Sequence, residues 1–126
     1  MKHKTRQRDA IVKCIRQSKG PMSPQEILSK AKEEVSGLGI ATVYRNLREL
    51  KKEGFVREFV MPGQGARYEK SDPSLHHHHH FCCRKCDRVF CVDGCPGEFN
   101  TMVPNGFILE DHEIVLYGRC SDCRAV

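Results

Sequence analysis

Residues 40–70 read IATVYRNLRELKKEGFVREFVMPGQGARYEK, and the fold turns on how this stretch is read. Its first half carries apolar side chains at a helical period. At about 100° per residue, Ile40, Val43, Leu47 and Leu50 fall on one face. Ala41, Arg45, Arg48 and Lys52 form a neighbouring stripe flanked by Thr42 and Tyr44, and Gly54 ends the helix. The second half contains two short runs, FVREFVM and ARYEK, that read as strands. PGQG between them is a turn-rich hairpin connection.

Upstream, TRQRDAIVKCIRQSKG (5–20) predicts a helix with Ile11, Val12 and Ile15 on its apolar face. Gly20 and Pro21 stop it. MSPQEILSKAKEEV (22–35) predicts a second helix with a well-marked start. Ser23 can cap it, Pro24 suits its first position, and Glu26 completes a capping box. Ile27, Leu28, Ala31 and Val35 make its buried stripe. Three helices followed by a two-stranded hairpin form a winged helix-turn-helix, whose last helix is the reader. A small residue followed by basic ones suits the major groove. There Arg45 and Arg48 can bond guanine edges or phosphates, and Tyr44 can pack on a thymine methyl. On an isolated helix the same stripe would describe an ordinary solvated face; the hairpin behind it favours DNA.

Downstream the composition changes at SDPS (71–74), a short linker. The expected domains are 1–70, a winged-helix DNA-binding domain, and 71–126, a metal-binding domain, in an α+β chain. LHHHHHFCC (75–83) and RVFCVD (88–93) predict adjacent strands about the turn RKCD. CPGEFNTMVPNG (95–106) predicts irregular chain with a helical turn or two, and GFILEDHEIVLYG (106–118) a long strand or bent strand pair.

Charge divides the same way. Residues 1–70 hold 16 Lys+Arg against 8 Asp+Glu, and residues 71–126 hold 5 against 8, within an overall +5. A basic head on an acidic, Cys/His-rich body suggests a polyanion binder built on a metal site. No apolar run is long enough to cross a bilayer, and MKHKTRQRD lacks a signal-peptide core, so the expected setting is cytoplasmic, with no membrane partner. Thiols stay reduced there, and Cys-x-x-Cys pairs read as metal ligands.

Cys83-x-x-Cys86 and Cys120-x-x-Cys123 supply four thiolates in two pairs, a donor set for a structural Zn2+. The five histidines 76–80 precede the first pair directly. On a strand they alternate, so His77 and His79 point one way and His76, His78 and His80 the other. That offers two sites, one per face. His112 and Glu98 are further candidate ligands within the second domain. Glu69, at the end of the wing, is the candidate from the first. A metal bridging both domains would fix their orientation.

Taken together, TRQRDAI, ATVYRNLREL, RYE, HHHHHFCCRKC and DHEIVLYGRCSDC make the chain similar to the ferric uptake regulator family of bacterial metalloregulators. The resemblance covers almost the whole chain in the family's order. It implies a homodimeric, metal-dependent DNA-binding repressor with a winged-helix head and a small α/β dimerisation domain. Carried over, Cys83, Cys86, Cys120 and Cys123 match the family's structural zinc ligands. Glu69, His78 and His80 match a regulatory site at the hinge, and His77, His79, Glu98 and His112 an additional site. Tyr44 and Arg45 match base and phosphate contacts; Thr42, Arg48 and Arg8 complete the candidate DNA-binding set.

Two departures concern the regulatory metal. Pro21 or Met22 stands where many members place a histidine, and Cys91 stands where many have an acidic residue; Cys95 is a further thiol. Cys91, Cys95 or a residue such as His3 can therefore join the hinge site. Imidazole with thiolate suits Zn2+, whereas histidine with carboxylate suits Fe2+ or Mn2+. The function expected is control of iron, manganese or zinc homeostasis, or a peroxide response. Regulatory metal would hold the two heads of a homodimer for a double-stranded operator with an inverted repeat. The rival is a nucleic-acid-directed metalloenzyme using the histidine cluster. The chain shows neither H-E-x-x-H nor a zinc-deaminase H-x-E pairing, so no enzyme is expected.

Overall fold

The start signal at Ser23 is made as the sequence predicts. Ser23 Oγ accepts the N–H of Glu26 (3.2 Å), and the Glu26 carboxylate accepts the N–H of Ser23 (2.8 Å). This box opens a short helix in a computed structural model that describes residues 2–61, 63–71 and 79–124. The chain divides into two units, residues 1–74 and 75–126.

The first unit contains helices α1 (Lys2–Gln17), α2 (Pro24–Ala31) and α3 (Ile40–Lys52), then strands β1 (Val56–Met61) and β2 (Gly65–Lys70). Ile11 and Ile15 of α1, Ile27 and Ala31 of α2, and Val43, Leu47 and Leu50 of α3 meet in one core. Val35 and Leu38, in the turns after α2, complete it. Two expectations shift. The second helix ends at Ala31 rather than Val35, its chain turning through Lys32–Glu34 so that Val35 still reaches the core. Ile40, expected on the buried face, begins α3 and is exposed, while Asn46 is buried and donates to the Thr42 carbonyl (2.9 Å).

The hairpin pairs antiparallel from Val56↔Lys70 to Met61↔Gly65. Gly63 and Gly65 have φ of +79° and +78°, left-handed values that favour glycine at both. A bridge from Met22 to Tyr68 and the buried Arg67 attach the wing to the helices. Arg67 donates to Glu26 (2.6 Å), so the carboxylate that closes the capping box also anchors the wing.

The second unit is a three-stranded sheet in the order β4-β3-β5. Strand β3 (His79–Cys83) pairs antiparallel with β4 (Val89–Val92) and parallel with β5 (Val115–Gly118). Between β4 and β5 lies irregular chain with one 3-10 turn, Phe99–Met102. The long strand expected over 106–118 is reduced to its last four-residue run. Phe107, Ile108 and Leu109 lie in exposed chain without ladder partners among the described residues. The buried apolar residues described in this unit are Cys82, Cys83, Val89 and Cys120. Three cysteines and a valine cannot stabilise a domain by area alone. Among the described residues no helix is long and apolar enough to cross a membrane.

Candidate metal centres and nucleic-acid interface

The four predicted zinc thiols converge. The sulfurs of Cys83, Cys86, Cys120 and Cys123 all lie within 4.8 Å of one another, and Cys86 Sγ is 3.9 Å from Cys120 Sγ. Zinc–sulfur bonds of about 2.3 Å fit inside such a tetrahedron, so the set fits a structural zinc. Cys83 ends β3, Cys86 sits in the turn after it, and the second pair follows β5, so the ion would tie two strands together. The surroundings favour thiolates. Cys83 Sγ accepts the N–H groups of Cys120 (3.4 Å) and Cys86 (3.5 Å), which hold its thiol down to about 6. The Arg88 guanidinium lies on Cys86 Sγ (3.3 Å) and Cys120 Sγ (3.4 Å) and lowers the Cys86 thiol. Asp122 holds that guanidinium at 2.9 Å. Cys123 is pushed up to about 12, first by the hydrogen bond with Cys120 and then by burial. Four crowded sulfurs cannot all ionise without a cation among them. Arg88 was not singled out from the sequence; its signal is a basic residue two positions after a ligand cysteine.

A second group joins His79, Cys95 and His112, again within 4.8 Å. Cys95 Sγ is 3.2 Å from His112 Nε2, and the His79 and His112 rings lie 5.1 Å apart. His79 is buried, and its Nδ1 accepts the N–H of Ile114 (3.2 Å). Glu98 does not join this group; it is exposed at the left-handed start of the 3-10 turn, with φ of +60°. Cys95, considered as a hinge ligand, stands here instead.

The remaining candidates divide between the units. His80 is buried in β3 directly across from Cys91 of β4, so the two side chains share a face of the sheet. Glu69, in β2 of the first unit, is buried at 4% exposure and accepts a hydrogen bond from Arg57 Nε (2.7 Å), its cross-strand neighbour. Arg57 was also missed, although counting back from the turn places it opposite Glu69. His77 and His78 lie outside the described residues.

On α3 the predicted stripe faces outward. Ala41, Tyr44, Arg45, Arg48 and Lys52 are exposed and Thr42 is half-buried. Arg45 and Arg48 form no ion pair among the described residues, whereas Lys51 is held by Glu58 (2.6 Å). The first turn of α3 has no acidic residue to offset the helix's positive end. Arg8 is placed differently. Its guanidinium makes a two-pronged pair with Glu53 (2.9 and 3.2 Å) and lies over the Phe55 ring. The Glu53 hydrogen bond raises Arg8's pKa and lowers that of Glu53.

Comparison with known proteins agrees with this geometry. The model of the ferric uptake regulator family matches residues 2–117. The ferric uptake regulation protein of Campylobacter upsaliensis is 32% identical over 124 residues, covering 94% of this chain and 78% of that one. The solved ferric uptake regulator of Helicobacter pylori, described as having three functional metal binding sites, superposes with a TM-score of 0.68 at 26% identity. It covers 94% of this chain and 79% of that one. The Francisella tularensis regulator, solved with iron, gives 0.69 at 29% identity, over 94% of this chain and 91% of that one. A family match that runs through both units and nearly the whole chain decides the matter: this chain belongs to the ferric uptake regulator family.

Proposed function

We propose that this metal-responsive, DNA-binding transcriptional regulator is a cytoplasmic repressor whose hinge-site metal locks a homodimer for an inverted-repeat operator. Residues 1–70 would be the DNA-binding domain and 71–126 the dimerisation domain. One observation carries the DNA reading: Arg45 and Arg48 stand exposed beside Tyr44 on α3, outside any ion pair among the described residues. Such residues supply both phosphate contacts and base readout.

For the regulatory site we propose Glu69, His78 and His80, joined by Cys91. The register supports the last member, since His80 and Cys91 face each other across β3 and β4. Imidazole with thiolate favours Zn2+ as the sensed ion. The buried carboxylate of Glu69 favours a second reading, Fe2+ or Mn2+. One solved relative is described with three functional metal binding sites, and another was solved with iron, which accords with the second reading.

Metal that binds the DNA-competent arrangement more tightly must itself bind more tightly when DNA is present. Operator binding measured against Zn2+, Fe2+ and Mn2+ in turn tests this. The expected coupling is about 5–150-fold in affinity. It should disappear in E69Q and H80A while the structural zinc count stays unchanged. Equal operator affinity with and without all three ions would refute metal control.

A further inference from the structure

Between β4 and β5 the chain runs from Asp93 to Ile114 with little to hold it. Its internal backbone bonds are local, Val103 N–H to Asn100 and Phe107 N–H to Pro104, and Met102, Phe107 and Ile108 are exposed. The two ends of this loop nevertheless meet. Cys95 near its start lies 3.2 Å from His112 near its finish, and the Phe99 ring packs on His112 at 4.4 Å. His79, fixed in the central strand, completes the group.

We propose that Cys95, rather than Glu98, makes the additional metal site with His79 and His112, and that a zinc-class ion there clips loop 96–111 to the sheet. This rests on the reading that an additional site exists, and it changes the chemistry of that site. Two imidazoles and a thiolate suit Zn2+ or Co2+, whereas two imidazoles and a carboxylate would suit Fe2+ or Mn2+. Coordination requires the Cys95 thiol to lose its proton to solvent, so uptake releases a proton and strengthens with rising pH. A metal taking His79 Nδ1 displaces the N–H of Ile114. In exchange, three separate segments share one ion: β3, the chain after β4, and the chain before β5. Loop-closure entropy grows slowly with length, so one clip can restrain the whole loop.

The test is a Co2+ titration of protein whose four-cysteine site already holds zinc. It is read by thiolate-to-cobalt charge-transfer absorption and by hydrogen exchange across residues 96–111, in wild type, C95S, C91S, E98Q and H112A. Wild type, C91S and E98Q should show slower exchange in the loop when cobalt binds. C95S should lose a charge-transfer component that C91S retains, lose the slowing, and bind cobalt at this site about tenfold or more weakly. If E98Q loses binding and slowing while C95S keeps both, the additional site stands but the thiolate inference is overturned. If cobalt slows loop exchange in no protein, both are overturned.

Discussion

Arg88 shows how one side chain can prepare a metal site. Held by Asp122, it places its guanidinium on two of the four sulfurs, while two backbone N–H groups point at a third. In the assembled site these contacts hold the Cys83 thiol down to about 6 and so favour the thiolate that zinc requires. Zinc uptake by the four thiols should release protons, which calorimetry in buffers of different ionisation enthalpy would count. Because the lowered pKa favours the thiolate above about 6, zinc should stay bound at neutral pH and be lost on acidification, as a chromogenic chelator would show. The two exposed arginines of α3, Arg45 and Arg48, give a prediction of another kind. R45A and R48A should each weaken operator binding by about 1–3 kcal/mol if they contact bases, with relaxed sequence preference. A phosphate contact would instead flatten the salt dependence by about one unit and leave preference unchanged. Filter binding at several salt concentrations separates the two.

At the scale of elements, the capping box is both the most legible feature and an energetic link. S23A should lower stability by about 1 kcal/mol, as loss of an N-cap does. E26Q weakens the cap and the Arg67 anchor at once and should cost more, as chemical denaturation would show. The Arg8–Glu53 pair ties α1 to the end of α3, and Glu53's lowered pKa sets the sign of its pH dependence. Its stabilisation is present above the ordinary carboxylate pKa and lost as pH falls through the depressed folded value. The difference in melting temperature between wild type and E53Q should shrink on acidification and with added salt. Helices, wing and paired cysteines were legible because each has a local cause: a period, a cap, a turn or a ligand spacing. Ile40 was misplaced because periodicity does not say where the core ends. The strand expected over 106–118 failed because a ladder needs a neighbour, and only Val115–Gly118 find one in β3. Cys95 was recognised as a thiol, but its partner was not legible, since sequence does not state where an irregular loop returns.

For the whole molecule, the two units differ in what holds them. The first has an apolar core, and the second has three buried cysteines and a valine among its described residues. Removing zinc with a chelator should therefore abolish the strand signal and dimer formation while leaving most of the helical circular dichroism. C120S should behave like the chelated protein. The central claim, that metal held by Glu69, His78 and His80 controls DNA binding, is tested most directly by operator affinity in protein with zinc in its four-cysteine site alone, with and without added regulatory metal, beside E69Q. Tight binding only in metal-loaded wild type is expected, with E69Q weak under both conditions. Equal affinity in all four measurements would contradict it.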